Sequence, residues 1–361
     1  MQSVSSLSFD NIGNTHLQWE TTKRFNVGLE ANFLGDRLNM RFNYFLANTD
    51  HLLTYQNLNY ISGLGENWSN GGSLRNQGFD LTLIGKVLAT KDFQWELGAS
   101  VGHYKNKITS LAGGRTSFDT NLYGATIHSE VGQAANLFYG YKTAGVFTTS
   151  EEAAEAGLYI LGENGVDRNY FGAGDMHFVD RDGDHQITEA DRMVIGDPNP
   201  DLYGNIFTSL NYKRFRLDVN FNYSLGNDVY NYMRSQLEGG NRFLNQTTAM
   251  TTRWQTEGQV TTMPKATFQD PMGNSRFSDR WIEDGSYLRL KTVTLSYTLP
   301  LHSTFLQGLQ FWIQANNLFT VTKYLGSDPE FTMTGNVLGQ GIDLGQLPQC
   351  RSFVAGVKVN L

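Results

Sequence analysis

The sequence has one cysteine, little charge and no long apolar run. Cys350 stands alone in 361 residues, which excludes an intrachain disulfide and any cysteine-based metal site and predicts a buried or lipid-facing thiol. Charged residues make up 17%, against roughly 25% in an average soluble protein. The formal charge is −7 and no Lys/Arg-rich stripe offsets it, which argues against a nucleic-acid partner. No stretch of about 18 apolar residues exists, so a helical membrane span is excluded; strands of about 9–11 residues that cross a bilayer are not. Catalytic signatures are missing too. The 7 histidines are scattered without a pair at helical metal-ligand spacing, and there is no Gly-x-Ser-x-Gly elbow, Walker A loop or dinucleotide fingerprint. Nothing in these residues spells an enzyme.

What the chain does have is alternation. Phe25, Val27, Leu29, Ala31 and Phe33 interleave with Asn26, Gly28, Glu30 and Asn32, and the last residues repeat the pattern with Phe353, Ala355, Val357, Val359 and Leu361. Aromatics reach 13%, with 23 Phe and 17 Tyr. Alternation and turn signals predict nine long strands, at residues 19–33, 37–49, 76–87, 93–105, 202–212, 215–225, 287–299, 309–320 and 351–361. Short connections at 34–36, 88–92, 213–214 and 300–308 fall at every second junction. Between them lie long excursions at about 50–75, 106–201, 226–286 and 321–350. Short turns on one side and long loops on the other describe a bacterial outer-membrane β-barrel, with the short side toward the periplasm. An antiparallel sheet with one solvated face would alternate in the same way, so a soluble sandwich stands as the rival. In the seventh strand Leu288 and Leu290 keep one phase while Val293, Leu295, Tyr297 and Leu299 keep the other, which predicts a β-bulge near Lys291 and Thr292 or a strand leaving the bilayer there. Nine is an awkward count because an up-and-down bacterial barrel closes with an even number. The expected fold is therefore an all-β, antiparallel transmembrane barrel in part, about nine or ten strands of a larger one. Residues 1–8 lack the basic start and apolar core of a signal peptide, which a barrel needs for export; the sequence is expected to be the distal part of a longer protein or of a truncated reading frame.

Several segments, in order, carry a family resemblance. The run from Gly13 to Thr22 followed by Asn26-Val27-Gly28-Leu29, then Leu74-Arg75-Asn76-Gln77-Gly78-Phe79-Asp80-Leu81 and Phe138-Tyr139-Gly140-Tyr141-Lys142 with Gly145-Val146-Phe147, resemble SusC/RagA-type TonB-linked outer-membrane transporters. Asp197-Pro198-Asn199-Pro200, Tyr287-Leu288-Arg289-Leu290-Lys291, Asn316-Asn317-Leu318-Phe319-Thr320, Lys323-Tyr324 and Asp328-Pro329-Glu330 complete the series. The resemblance covers essentially the whole chain. It implies a transporter whose complete form has a signal peptide, a TonB box, a plug domain and a barrel of about 22 strands, capped by a SusD-type surface lipoprotein that delivers glycans or peptides. None of the plug-side parts is recognisable here, so this chain is expected to be only the distal barrel and unable to drive energised import by itself. It ends in Leu361, where such barrels commonly finish on an aromatic residue.

The sharpest local motif is the acidic run 180–191. Asp180, Asp182, Asp184 and Asp191 stand at positions 1, 3, 5 and 12 of a calcium-type loop, with the Gln186 carbonyl at 7 and Ile187 packing beneath. Position 6 is His185 where a glycine is usual, and position 12 is Asp where a longer Glu is usual. A structural Ca²⁺ and a metal-free polar turn are both open, and members of the resembling family carry a similar loop. His177, near Asp175 and Asp180, is either an added ligand or a plain loop histidine. Aromatic residues in the long excursions (Tyr60, Trp68, Tyr123, Phe138, Tyr139, Trp254 and Trp281) suit stacking on sugar rings, and equally an interfacial girdle or loop packing. Trp68, Tyr60 and Tyr139 are the substrate candidates; Trp68 leads because Asn67, Ser69, Asn70 and Gly71 surround it. Arg41, Asn43, Arg216, Asp218 and Asn220 are expected to face the lumen.

The reading is part of an outer-membrane, TonB-dependent importer of glycans or peptides, embedded in outer-membrane lipid, working with a SusD-type lipoprotein and with TonB through a plug. Its rivals are a small autonomous barrel acting as a passive pore or adhesin, and a soluble glycan-binding β-sandwich.

Overall fold

The computed structural model describes residues 14–57, 66–300, 308–331 and 337–360. One antiparallel sheet of nine strands organises them: β1 (Thr21–Phe33), β2 (Leu38–Asp50), β3 (Gly72–Ala89), β4 (Phe93–Leu111), β5 (Leu202–Tyr212), β6 (Phe215–Leu225), β7 (Tyr287–Pro300), β8 (Gly308–Thr322) and β9 (Ser352–Asn360). Each pairs with its neighbours in sequence order, and among the described residues β1 and β9 are open edges. β5 and β6 keep the expected bounds. β3 and β4 run longer than expected, because polar residues beyond the alternating section continue to pair above it. At about 3.3 Å per residue, the 13 residues of β1 extend roughly 43 Å, which at a tilt near 45° covers a hydrocarbon core of about 30 Å.

The outward face of this sheet is apolar and uncovered. Phe25, Leu29, Phe42, Ile206, Phe215, Leu295, Ile313 and Val357 are all exposed, and they fall on one side of the register. A groove of about 440 Å³ between β6, β7, β8 and β9 continues the surface. A soluble sandwich would have to bury this face; among the described residues nothing packs on it, and lipid is the solvent it suits. Cys350, expected to be buried or lipid-facing, is exposed just ahead of β9.

The expected bulge is present. Phe221 pairs with Leu290 and Asn220 with Thr292, so Lys291 is the extra residue that lets both hydrophobic phases of β7 face outward. On the other side Phe319 pairs with Leu290 and Asn316 with Thr292, which puts Asn317 and Leu318 opposite that single residue. Asn317 takes the left-handed conformation this requires (φ 52°), one that Asn tolerates better than most side chains.

The long excursions are where the chain folds most tightly, contrary to their reading as plain loops. The second contains a sheet of 117–122, 125–130, 137–140 and 193–196 and the helix α1 (Ser150–Ala156), capped by Thr149 and closed by Gly157 at φ 63°. Two apolar clusters form there. Tyr141, Phe147, Leu158, Phe171, Phe178 and Ile187 pack as one, joined by Trp254 of the third excursion. Phe138, Ile127, Tyr230, Trp281 and Ile342 form the other, drawn from the second, third and fourth excursions. The loops are thus a folded lobe with a core of its own, above a sheet that has none.

Candidate functional site

Two separate arrangements answer to the sequence candidates: the acidic loop in the lobe, and the inner wall of the sheet with the loop segments fastened to it.

In the acidic loop, Asp180, Asp182 and Asp184 each bring a carboxylate oxygen within 4.8 Å of the others. The backbone shapes this convergence. Asp180 accepts from the amides of Gly183 (2.7 Å) and His185 (2.8 Å), and Asp184 accepts from Gln186 N (2.7 Å). His185 holds the left-handed conformation expected at the sixth position (φ 63°), with its Nδ1 3.1 Å from the Ala156 carbonyl at the end of α1. Burial pushes the Asp180 carboxyl up, but the His185 and Gly183 amides outweigh it and hold the group below its ordinary value. Asp182 is held above its own by desolvation and by the charges of Asp184, Asp191 and Asp180, against the Asp184 amide.

Asp191 does not join the three. It is buried, and its two oxygens accept from Arg181 N (2.8 Å) and Thr188 N (2.7 Å), the second closing a capping box with Thr188. Gln186 bridges to Tyr159, and Ile187 sits in the first cluster, so the loop is docked on the lobe core. His177 stacks on Phe147 (4.3 Å) and burial lowers its pKa; it is half-buried against the first cluster and stands outside the acidic group. Three clustered carboxylates on a preformed turn fit a hard cation such as Ca²⁺, with the Gln186 carbonyl and water left to complete six to eight oxygens.

The aromatic candidates divide. Tyr60 lies outside the described residues. Trp68 is half-buried in the hairpin of 53–57 and 66–70, and its carbonyl accepts from Asn14 Nδ2 (3.0 Å). Tyr139 lays one face on the His128 ring (4.5 Å), while His128 Nδ1 lies 2.6 Å from Asp119 Oδ1. Tyr123 is exposed against Tyr232. Phe138, Trp254 and Trp281 are core residues of the lobe, so for these three the loop-packing reading holds.

The inner wall carries the polar residues expected there. Arg41 pairs with Glu30 (3.0 Å), Asn43 donates to Asp80 (3.5 Å), and Arg216 pairs with Asp218 (2.8 Å). Less expected are aromatic rings on the same face, each packed against a glycine of the next strand: Phe207 against Gly98, Tyr203 against Gly102 and Trp312 against Gly356. The lobe is fastened to this wall at two points. Asn199 receives Asn106 Nδ2 of β4 (2.8 Å) and donates to the Ala135 carbonyl (3.1 Å), while the Asp197 carbonyl accepts from Asp228 N of the third excursion (2.8 Å) and Asp197 N donates to Asp228 Oδ2 (2.8 Å). On β7, Arg289 forms a buried ion pair with Asp328 and lies 2.8 Å from Glu330, and Lys291, turned out by the bulge, donates to Glu330 (3.0 Å) and Gln349 (2.7 Å). Both the 287–291 and 328–330 segments are sequence landmarks, and the opposite charges they carry are the only sequence signal that they meet.

Comparison with known proteins agrees with this geometry. The chain is 30% identical to TonB-dependent receptor P3 of Formosa agariphila, over 99% of its own length and 36% of that protein. It is 27% identical to TonB-dependent receptor SusC of Bacteroides thetaiotaomicron, over 96% of the chain and 32% of that protein. The solved RagAB peptide importer in its closed-closed state superposes with a TM-score of 0.76 at 26% identity, covering 96% of this chain and 36% of that one. The chain thus spans about a third of the length of these relatives. The family described as TonB dependent receptor-like, beta-barrel matches residues 2–191, and with its open nine-stranded sheet and apolar outer face the chain belongs to that family of bacterial outer-membrane barrels.

Proposed function

We propose that the chain is the distal, C-terminal wall of the barrel in an outer-membrane importer of glycans or peptides. In this reading the polar inner face borders the passage, a plug supplied elsewhere in the polypeptide fills it and transmits the pull of TonB, and a SusD-type lipoprotein closes the top. The observation that supports it most is the folded lobe. A passive pore needs only short or pendant loops, whereas here three excursions share one core and are riveted to the inner wall through Arg289 and Asn106. The similarity to SusC and to a peptide importer supports import of a nutrient and leaves the substrate between those two classes. Trp68 and Tyr139 are the aromatic residues proposed to meet it. The test is uptake: cells lacking the gene should lose import of a labelled oligosaccharide or oligopeptide, and a tagged protein should co-purify a surface lipoprotein. Normal uptake of both ligand classes in the deletion, with no lipoprotein bound, would count decisively against it.

The acidic loop is proposed to hold a structural Ca²⁺ on Asp180, Asp182 and Asp184. The cation would neutralise three crowded carboxylates and rigidify the first lobe cluster; it has no catalytic part. Chelation should speed hydrogen exchange in residues 156–187 of the wild type and leave an Asp182→Asn, Asp184→Asn double variant unaffected. Equal exchange with and without chelator in the wild type would remove the ion from the account.

A further inference from the structure

A small polar pocket lies in the lobe between the second and third excursions, apart from the acidic loop and the inner wall. Its volume is about 110 Å³, and Tyr230, Phe277 and Trp281 form its aromatic side. At about 30 Å³ per water it has room for roughly three or four waters, the space of one carboxylate or sulfate group and too little for a sugar ring. Most of its polar atoms are already engaged with each other. Tyr230 Oη is 3.0 Å from Ser235 Oγ, and Asn241 Nδ2 donates to Ser275 Oγ (2.8 Å).

Two lining groups are different. Among the described residues Arg242 has no hydrogen-bond or ion-pair partner, and the Gln236 amide makes only one long bond, 3.4 Å to Ser235 Oγ. No carboxylate lines the pocket. Behind the Trp281 ring lies Arg280, its guanidinium 4.2 Å from the ring centroid. Arg280 has no carboxylate partner among the described residues, and its Nη1 is buried without a hydrogen bond. Burial and the neighbouring Arg234 lower its pKa to about 10. Arg276, in the same stretch, stacks on Tyr141 and Phe178 and donates only to backbone carbonyls. The carboxylates nearby are spent: Glu238 and Glu283 pair with Arg234, and Asp270 accepts from the Asn274 and Ser275 amides.

We propose that this pocket binds an oxyanion, the carboxylate or sulfate group of a soluble ligand, between the Arg242 guanidinium and the Gln236 amide, with Arg280 adding positive potential from behind Trp281. A guanidinium presents paired donors that match such a group.

The proposal stands on the pocket itself and does not require transport, so a failed uptake experiment and a failed titration are separate results. The test is calorimetric titration of the full chain, purified in detergent, with two matched pairs: glucuronate against glucose, and a free-acid dipeptide against its amide. At least one acid should bind about tenfold or more tightly than its neutral partner, and the pair that discriminates identifies the ligand source. Arg242→Gln should remove that discrimination. Because Arg242 is exposed and has no hydrogen-bond or ion-pair partner among the described residues, the variant should keep the wild-type melting temperature and detergent-gel mobility. Gln236→Leu, at a second position, should weaken the acid alone. Equal binding of charged and neutral partners, no binding of either acid, or an unchanged preference in Arg242→Gln would overturn the proposal.

Discussion

Replacing Arg289 with Met removes the charge that ties the fourth excursion to the barrel wall. In the native fold the Arg289 and Asp328 side chains are 4% and 7% exposed, so the substitution leaves a carboxylate buried without its cation. Removing one partner of such a pair typically costs 3–5 kcal/mol. The lower end applies here, since Asp328 keeps the amides of Glu330 and Gln349, each at 2.9 Å, and Glu330 keeps Lys291. A loss of about 3 kcal/mol raises the open population of the segment roughly a hundredfold. Hydrogen exchange of the full chain in detergent reads this directly. The amides of Glu330 and Gln349 should exchange about a hundredfold faster, while those of β5 and β6 stay at wild-type rates. If the two amides keep their protection, the ion pair is not what holds the segment; if β5 and β6 open equally, the attachment is not local and the reasoning fails.

The same carboxylate sets an acid response. Burial raises the pKa of Asp328, but Arg289 and the amides of Gln349 and Glu330 outweigh that and hold it below the ordinary value. A depressed carboxyl stabilises the fold above its unfolded value, about 3.9, and that stabilisation is lost as the pH falls through the lower folded value. Residues 323–331 should therefore loosen below about pH 4 while β5 and β6 remain paired, and exchange measured at pH 3 and pH 6 checks it; equal protection at both refutes it. Spin labels at Phe221 and Val357 should collide with oxygen dissolved in hydrocarbon, and labels at Asn220 and Lys358 with a water-soluble nickel chelate. The reverse pattern would invert the faces of the sheet. Asn317→Gly should lower the melting temperature only slightly, since relief of φ 52° offsets the lost Nδ2 bond to the Cys350 carbonyl, whereas Asn317→Val should lower it further because a β-branched residue also resists that conformation.

How much of this was legible in the sequence depended on whether a residue's environment repeats along the chain. Lipid touches every second side chain of a strand, so Phe215, Leu217, Val219 and Phe221 announce β6 and even its end points, and the phase slip after Leu290 announces the bulge. The lobe offers no such period. Its strands are mostly three to six residues long, and whether Trp254 is core or ligand platform depends on its packing against the cluster of the second excursion that holds Phe147 and Phe171. In the acidic loop, Asp180, Asp182 and Asp184 were readable because their spacing alone brings them together. Asp191 was read by the same count, yet Thr188 three residues earlier marks a capping box, and that local competitor took its oxygens. Arg242 carried no signal, since a lone arginine in an irregular segment looks like any other.

The glycines beside the inner aromatic rings bear on the width of the passage proposed above. A Cβ at position 98 would collide with Cζ of Phe207, and one at position 102 or 356 with Tyr203 or Trp312. Each ring fits only because its neighbour has no side chain. Larger residues at these positions would tip the rings toward the barrel axis by the thickness of the added atoms, so the calibre of the proposed conduit is set where the wall has least substance.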